Sequence, residues 1–167
     1  MPRPTHSLIE SITLNSNQSS ISINIPQSYS HLEIITGIIG TGAVQNNFIR
    51  FNSDANANYG FVRLSGSSTT PSTSQNGSYS YIPIDWYGNS HSGGIIGHVI
   101  KVYDYKNTSY FKQISANSSE LLGSTNGIDI VSGTWRSTSA ITNITIAPTG
   151  NQFGVGTTVS VYGIKEE

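Results

Sequence analysis

The chain has 167 residues, a formal net charge of -1 and only 10% charged residues. This length fits one domain with a sizeable core, and 8 scattered Lys and Arg residues are too few to neutralise a run of phosphates, which argues against nucleic-acid binding. Because cysteine is absent, disulfides, thiolate metal sites and a cysteine nucleophile are excluded.

The first residues, MPRPTHS, contain two prolines and no apolar periodicity. They predict an extended arm over residues 1–7, and we expect Pro2, Arg3 and Pro4 to contact a neighbouring molecule; a disordered terminus is the alternative. The start has no apolar run of signal-peptide length, and no stretch is apolar enough for a membrane span, so we expect no membrane partner. Residues 8–167 are predicted to form a single β-sandwich domain.

Beyond the arm, many short runs alternate between apolar and polar residues and end in Gly, Asn, Ser or Pro. This period of two is typical of β-strands, and no segment carries a sustained helical stripe. The pattern predicts an all-β, two-sheet antiparallel sandwich, jelly-roll-like, with about ten short strands; a closed barrel is the alternative. In chain order the predicted strands are SISINIP, HLEIITGII, NNFIRFN, YGFVRLS, YIPIDWY, IIGHVIKVYDY, SYFKQISA, GIDIVSGTW, SAITNITIAP and TTVSVYGI.

Three segments carry more specific structural predictions. HLEIITGII is strongly apolar and is predicted to be a central strand, and IIGHVIKVYDY is apolar on both faces, as expected of a strand in the middle of the core. By contrast SGSSTTPSTSQNGSYS, residues 65–80, has almost nothing to bury and is predicted to be a mobile surface loop.

The stretch RFNSDANANYGFVRL, residues 50–64, places Asn or Asp at every second position between two predicted strands. Alternating oxygen ligands suit the first half of a calcium loop, which also needs a glycine at its sixth position and a glutamate at its twelfth. Those positions hold Ala57 and Arg63, so the stretch is predicted to be a wide strand-to-strand turn. Alternation in the flanking strands then directs Arg50 and Arg63 outward as predicted partner contacts; two solvated arginines are the alternative.

Side chains able to act as acids, bases or metal ligands are few. No H-x-x-x-H, H-x-H or H-E-x-x-H spacing and no G-x-S-x-G elbow occurs in the sequence. Asp85, next to Trp86, is interpreted as the partner of a turn amide, and His98 as a hydrogen-bonded histidine of the core or of the outer face. We therefore predict no catalytic residue, no metal site, no cofactor and a protein that is not an enzyme.

Four segments in a fixed order carry a resemblance to a known group of proteins: IPQSYSHLEI, FIRFNSDANANYGFVRLSG, VIKVYDYKNTSYFKQI and SGTWRSTSAITNITIAPTGNQFGVGTTVSVYGIK. Over residues 25 to 165 the chain resembles small virion proteins of tailed bacteriophages, including cyanophages, described as structural, tail or head-decoration proteins. The most distinctive parts are the W-x-S-T-S-A-I-T-x-I-x-I segment that begins at Trp135 and the terminal V-Y-G-I-K.

The resemblance implies a β-sandwich without enzymatic activity, and jelly-roll cement proteins often assemble as trimers on the capsid. We therefore expect a homotrimeric capsid cement or decoration protein that binds the major capsid protein, stabilises the head and lies on the capsid surface of a virion assembled in the host cytoplasm. The alternative is a tail or fibre module that binds host-surface glycans, with Trp86, Tyr87 and Trp135 as stacking platforms. For Trp135, packing at the end of the sandwich is the simpler interpretation.

Overall fold

The computed structural model describes residues 5–42, 46–67, 70–86, 94–122 and 125–165. Within these ranges the regular secondary structure consists of β-strands, and no helix long and apolar enough to cross a membrane occurs there. The strands are β1 (His6–Thr13), β2 (Ile21–Asn24), β3 (His31–Ile38), β4 (Asn47–Phe51), β5 (Tyr59–Ser67), β6 (Thr70–Tyr79), β7 (Ile82–Pro83), β8 (Ile96–Tyr103), β9 (Lys112–Leu122), β10 (Thr125–Trp135), β11 (Asn143–Pro148) and β12 (Thr158–Ile164).

The strands form two antiparallel sheets, which confirms the predicted all-β sandwich. The large sheet has 8 strands in the order β1-β12-β3-β8-β9-β10-β5-β6, and the small sheet has 4 in the order β2-β11-β4-β7. Across these sheets β1 pairs with β12, β2 with β11, β3 with β8 and β4 with β7. This nesting of early strands with late strands is the topology of a jelly roll.

Two hairpins are added to the jelly roll. In the sequence, the β5–β6 hairpin lies between β4 and β7, and the β9–β10 hairpin lies between β8 and β11. Because β9 pairs with β8, and β10 pairs with β5, both hairpins extend the same sheet. The large sheet therefore has twice as many strands as the small sheet that faces it.

All ten predicted strands occur, and the two that were not predicted are β1 and β6, the edge strands of the large sheet. Edge strands bury few side chains, so their sequences lack a clear apolar alternation. The prediction of a mobile loop over residues 65–80 was wrong, because Thr70–Tyr79 pairs with β5 along its length. Pro71 is compatible with this strand since an edge position does not need every backbone N–H.

The N-terminal boundary also differs from the prediction. Residues 1–4 lie outside the described ranges, and with them the predicted contacts Pro2, Arg3 and Pro4. His6 and Ser7, which were assigned to the arm, pair with Ile164 and Gly163 of β12. Strand β1 therefore begins at His6, within the predicted arm, because the open edge of β12 offers hydrogen bonds to any backbone, whatever its side chains.

The core lies between the sheets, where alternate residues of each strand are buried. In β8 the inward residues include Ile96 and Ile100, while Val99 and Tyr103 on the other face are exposed. The prediction that this strand is buried on both faces was therefore wrong, because no described segment covers the outer face of the large sheet. Its predicted central place is confirmed, since β8 lies between β3 and β9.

The stretch RFNSDANANYGFVRL does not form a hairpin, because β4 belongs to the small sheet and β5 to the large one. The segment between them is a crossing from one sheet to the other, with positive φ angles of 52° and 56° at Asn52 and Ser53. Asn52 fixes this crossing: its side-chain amide donates to the Ala140 carbonyl at 2.8 Å, and its oxygen accepts from the Thr142 amide at 2.8 Å.

A chain of aromatic rings closes the gap between the far edge of the large sheet and the small sheet. Phe61 of β5 contacts Tyr79 at 5.7 Å between ring centres, Tyr79 contacts Tyr81 at 4.6 Å, and Tyr81 stacks on Phe48 of β4 at 4.4 Å. The Arg50 guanidinium lies 4.7 Å from the centre of the Phe48 ring. These side chains bury apolar surface where strands of the small sheet do not reach.

Replacement of Gly133 by Ala should destabilise the fold by about 1–3 kcal/mol, because overpacking between the sheets forces neighbouring side chains to shift. A Cβ at Gly133 would lie 2.7 Å from the Ile82 Cγ2 and 3.1 Å from the Ile114 Cγ1. Gly97→Ala, in the same sheet with no atom within 4 Å of the added Cβ, is the matched control. Urea unfolding of both variants measures the difference; equal stabilities would contradict close packing at Gly133.

Candidate functional site

A row of polar side chains crosses the inner face of the large sheet. The strand register places one such residue on each of five neighbouring strands, from β3 through β8, β9 and β10 to β5. All of them are buried: Thr36, His98, Ser118, Asp129 and Ser65. Buried polar groups are costly unless they are paired, so the partners of this row decide what it can do.

His98 is the centre of the first half of the row. Its Nε2 donates to the Asp85 Oδ2 at 2.8 Å, since a carboxylate oxygen only accepts, and its Nδ1 accepts from the Thr36 hydroxyl at 2.7 Å. Asp85 also accepts from the backbone and side-chain nitrogens of Asn47 at 2.8 and 2.6 Å. Of the two placements expected for His98 the structure shows the core, and Asp85 accepts from the amide of Asn47 in β4 instead of the predicted turn amide.

At the other end of the row, Asp129 is paired with Arg63, which precedes Ser65 on β5. The Arg63 Nη1 lies 3.6 Å from the Asp129 Oδ1, an ion pair too long for a direct hydrogen bond, and the Arg63 Nε donates to the Ser74 Oγ at 3.1 Å. The guanidinium also lies 4.1 Å from the centre of the Trp86 ring, while the Trp86 amide donates to the Asp129 Oδ2 at 2.9 Å. A cation is thus held inside the sandwich between a carboxylate and an aromatic face.

Glu120 lies next to this ion pair and is 3% exposed. Burial raises the pKa of its carboxyl to about 9, and the adjacent Asp129, together with the charge of Asp85, adds to the rise, against a smaller lowering by the Ser118 hydroxyl. Glu120 is therefore protonated and neutral at pH 7. Neutralisation of one of three neighbouring carboxyl groups removes a repulsion that the enclosed site could not screen.

The hydroxyl, imidazole and carboxylate of Thr36, His98 and Asp85 have the connectivity of a nucleophilic triad. A triad also needs a substrate that can reach the hydroxyl, and Thr36 and His98 both face the space between the sheets and are buried. The arrangement therefore supports the fold, and the absence of enzymatic activity stays a prediction. Among the described residues, no three His, Asp or Glu side chains are placed to hold a metal ion.

Asp54 lies in the segment that crosses from β4 to β5, and both oxygens of its carboxylate accept hydrogen bonds from other residues. It accepts from the Trp135 Nε1 at 2.8 Å, from the Asn58 Nδ2 at 2.9 Å, and from the backbone and side chain of Asn56 at 3.0 and 2.9 Å. Burial raises the pKa of Asp54, but the hydrogen bonds outweigh it and lower the pKa to about 2. The alternating Asn and Asp residues are thus explained by turn chemistry, as predicted.

The structure separates the residues predicted to contact a partner. Arg50 is half-buried and donates to the Ser80 carbonyl at 2.9 Å, whereas Arg63 is only 3% exposed, so its predicted outward orientation was wrong. The reason is that β5 turns Arg63 towards the buried carboxylate of Asp129 and leaves its aliphatic neighbours outside. Because β4 and β5 lie in different sheets, the two arginines do not face each other.

The three residues of the glycan alternative also differ in their surroundings. Trp135 is 2% exposed and stacks on Tyr59, so its use as a sugar platform was a wrong prediction: its ring packs between the sheets. Trp86 is 41% exposed but is in contact with the Arg63 guanidinium. Tyr87 lies outside the described residues.

The outer face of the large sheet carries a surface that the sequence did not predict. On it, the register aligns Ile35 with Val99, and Ile130 with Leu64, and Ile128 lies next to Ile130 on the same face. All five are exposed, and we call them the aliphatic patch. The sequence feature that could have indicated this surface is a charged residue between two aliphatic residues. It occurs as V-R-L in β5 and, with the opposite charge, as I-D-I in β10.

Comparisons with protein-family models, with curated protein sequences and with solved structures return no match for this chain.

Replacement of Asp54 by Asn should reduce the loss of stability in acid. The carboxyl has a pKa of about 2 in the folded protein and an ordinary pKa of 3.8, so its contribution to stability is present above pH 3.8 and is lost as the pH falls towards 2. Unfolding at a series of pH values measures this dependence. The control is Asp104→Asn, at an exposed turn; if both variants match the wild-type acid dependence, Asp54 is not a stabilising acceptor.

Glu120 should make the protein less stable as the pH rises. Its carboxyl holds a proton up to about pH 9 when folded and only up to about 4.5 when unfolded, so the free energy of unfolding falls across this range by at most about 1.4 kcal/mol per pH unit. Glu120→Gln should flatten the dependence and raise stability at pH 8, whereas Glu10→Gln, exposed on β1, should change neither. Denaturant unfolding from pH 5 to 9 checks this; an unchanged slope in Glu120→Gln would contradict the protonated state.

Proposed function

We propose that the protein is a capsid cement or decoration protein of a tailed bacteriophage, a non-enzymatic component that binds the major capsid protein lattice and stabilises the head. The sequence resemblance supports the virion role, and the aliphatic patch is the observation that supports attachment through a protein surface. Single exposed apolar side chains are ordinary on soluble proteins, but five on one sheet face, in two groups on either side of Asn117, mark a contact surface.

The geometry of the patch suits a protein partner. Its residues lie on β3, β8, β10 and β5, and with the intervening β9 they span about 19 Å at the usual strand spacing. The outer charges of Glu33 and Lys101 lie 3.8 Å apart and offset each other. The surface is therefore weakly charged, with aliphatic side chains on both sides of the Asn117 amide of β9, a mixture that a protein–protein contact can bury.

The mechanism would be binding alone. Each copy contacts the shell through a modest surface, and only the assembled lattice presents the complementary site, so binding shifts the equilibrium towards the assembled shell. A homotrimer would engage several lattice sites at once, and the second and third contacts would form at a high effective concentration. The trimer and the capsid-surface location follow from the resemblance and are part of this proposal.

The double substitution Val99→Glu and Ile130→Glu should weaken binding to heads by about a hundredfold, because a buried unpaired carboxylate costs several kcal/mol. The two positions are exposed and separated by β9, so the fold should be retained. Binding is measured by co-sedimentation with purified heads of the encoding phage from which this protein has been stripped.

The matched control is Val155→Glu, exposed in the turn before β12 and remote from the patch in the strand register. It should bind heads like the wild type, and light scattering should give the same oligomeric state for all three proteins. If the double variant also binds like the wild type, the aliphatic patch is not the attachment surface. If the wild type does not bind stripped heads, the proposed function is wrong.

A further inference from the structure

A groove on the outer face of the large sheet, at the other end of the strands from the aliphatic patch, combines aromatic rings with amide and hydroxyl side chains. We propose that this groove binds a neutral oligosaccharide. It follows a register row of one residue from each of β8, β9, β10 and β5, namely Tyr103, Gln113, Thr134 and Gly60. With β6 at its end the groove crosses five strands, about 19 Å, which is room for several linked sugar rings.

One part of the groove is a hollow of about 210 Å³ at the β8–β9 connection. Three aromatic residues with exposed rings line it: Tyr103 (42% exposed), Tyr110 (69%) and Phe111 (51%). Asp104, Asn107 and Gln113 line the same hollow and bring carboxylate and amide groups next to these rings. Aromatic surface and hydrogen-bonding groups therefore face the same small volume.

The other part is a wider hollow of about 710 Å³ between the β9–β10 and β5–β6 hairpins. Gly60 and Gly77 line it without side chains, and Gln75, Asn76 and Arg136 form its polar side. Arg136 is held in place because its Nη2 donates to the Gly77 carbonyl. Phe111 lines both hollows, so its ring is the ridge at which they meet.

The chemistry of this lining fits a sugar better than it fits a protein surface. A pyranose ring has apolar C–H faces that stack on aromatic rings, and a rim of hydroxyl groups that pair with amide and hydroxyl side chains. The groove offers both kinds of group together, whereas the aliphatic patch offers aliphatic side chains around the Asn117 amide and no aromatic ring. Among the described lining residues the charged ones are Asp104 and Arg136, of opposite sign, which favours a ligand without net charge.

This inference goes beyond the proposed attachment to the head and does not depend on it. The groove and the patch lie four residues apart along β8, from Val99 to Tyr103, which is about 13 Å. Along β5 and β10 they lie two residues apart, because Val62 and Ser132 line the groove next to Leu64 and Ile130. A protein that covers the patch would leave the groove at the margin of the contact. The site also differs from the earlier glycan alternative, which rested on Trp86, Tyr87 and Trp135.

The test is an array of immobilised neutral oligosaccharides, built from hexoses and N-acetylhexosamines, followed by calorimetry with the member that binds best. The wild type should bind at least one oligomer, with an affinity that does not change between low and high salt because the ligand carries no charge. Phe111→Ala should weaken this binding by about fivefold to tenfold through the loss of stacking. Tyr110→Ala, at the most exposed ring, provides a second variant with little risk to folding.

The control is the variant with Val99→Glu and Ile130→Glu, which should keep the wild-type affinity for the sugar while it loses binding to heads. Thermal unfolding verifies that each variant is folded. Absence of binding to every member of the array overturns the proposal, as does binding that disappears in high salt or that both aromatic variants retain in full. Because the groove variants should still bind heads, a failure here is distinguishable from a failure of the proposed function.

Discussion

The width of the two sheets is the constraint on which the rest of the structure depends. Four strands face eight, so at the usual spacing a sheet about 14 Å wide has to cover one about 34 Å wide. The inner face of the large sheet extends past β7, the edge strand of the small sheet, and strands of the small sheet do not cover that part. Aromatic rings seal one region, from Phe61 through Tyr79 and Tyr81 to Phe48. The segment with Asp85 and Trp86 covers a second region, where it contacts the polar row of the large sheet.

Enclosed charges follow from this arrangement, and each is offset locally. Arg63 lies between Asp129 and the Trp86 ring, and Glu120 keeps its proton. Replacement of such a group by an apolar residue need not destabilise a protein, whereas removal of one partner leaves a buried charge unpaired. The polar row therefore favours one register of β10 against β5, since a shift of β10 by one residue would place Asp129 on the outer face while Arg63 stays inside, and would break the ion pair.

The sequence predicted the central strands well because they bury one face, and burial imposes a period of two. It missed β1 and β6 because these two edge strands bury few side chains and are held mainly by their backbones, so their sequences show no such period. The sequence also predicted the wrong orientation for β5, with Arg63 on the outer face instead of the inner one. In V-R-L and I-D-I the usual expectation directs the charged residue outward, and only the pairing of Arg63 with Asp129 across two strands reverses it. That pairing depends on a contact between segments far apart in the chain, which local periodicity cannot reveal.

The orientation of β5 and β10 has a consequence for the proposed attachment. It leaves aliphatic side chains in water, and complete burial of the five half-exposed residues of the patch would contribute about 1 kcal/mol each, or about 5 kcal/mol per copy. Association of two molecules costs about 4–15 kcal/mol in lost freedom of motion. A single patch would thus bind weakly or not at all, and attachment would depend on several patches that act together. A trimer on a repeating lattice meets this requirement, since only the first contact bears the full cost. Under the proposed function, the size of the patch therefore favours an assembled form over a single copy.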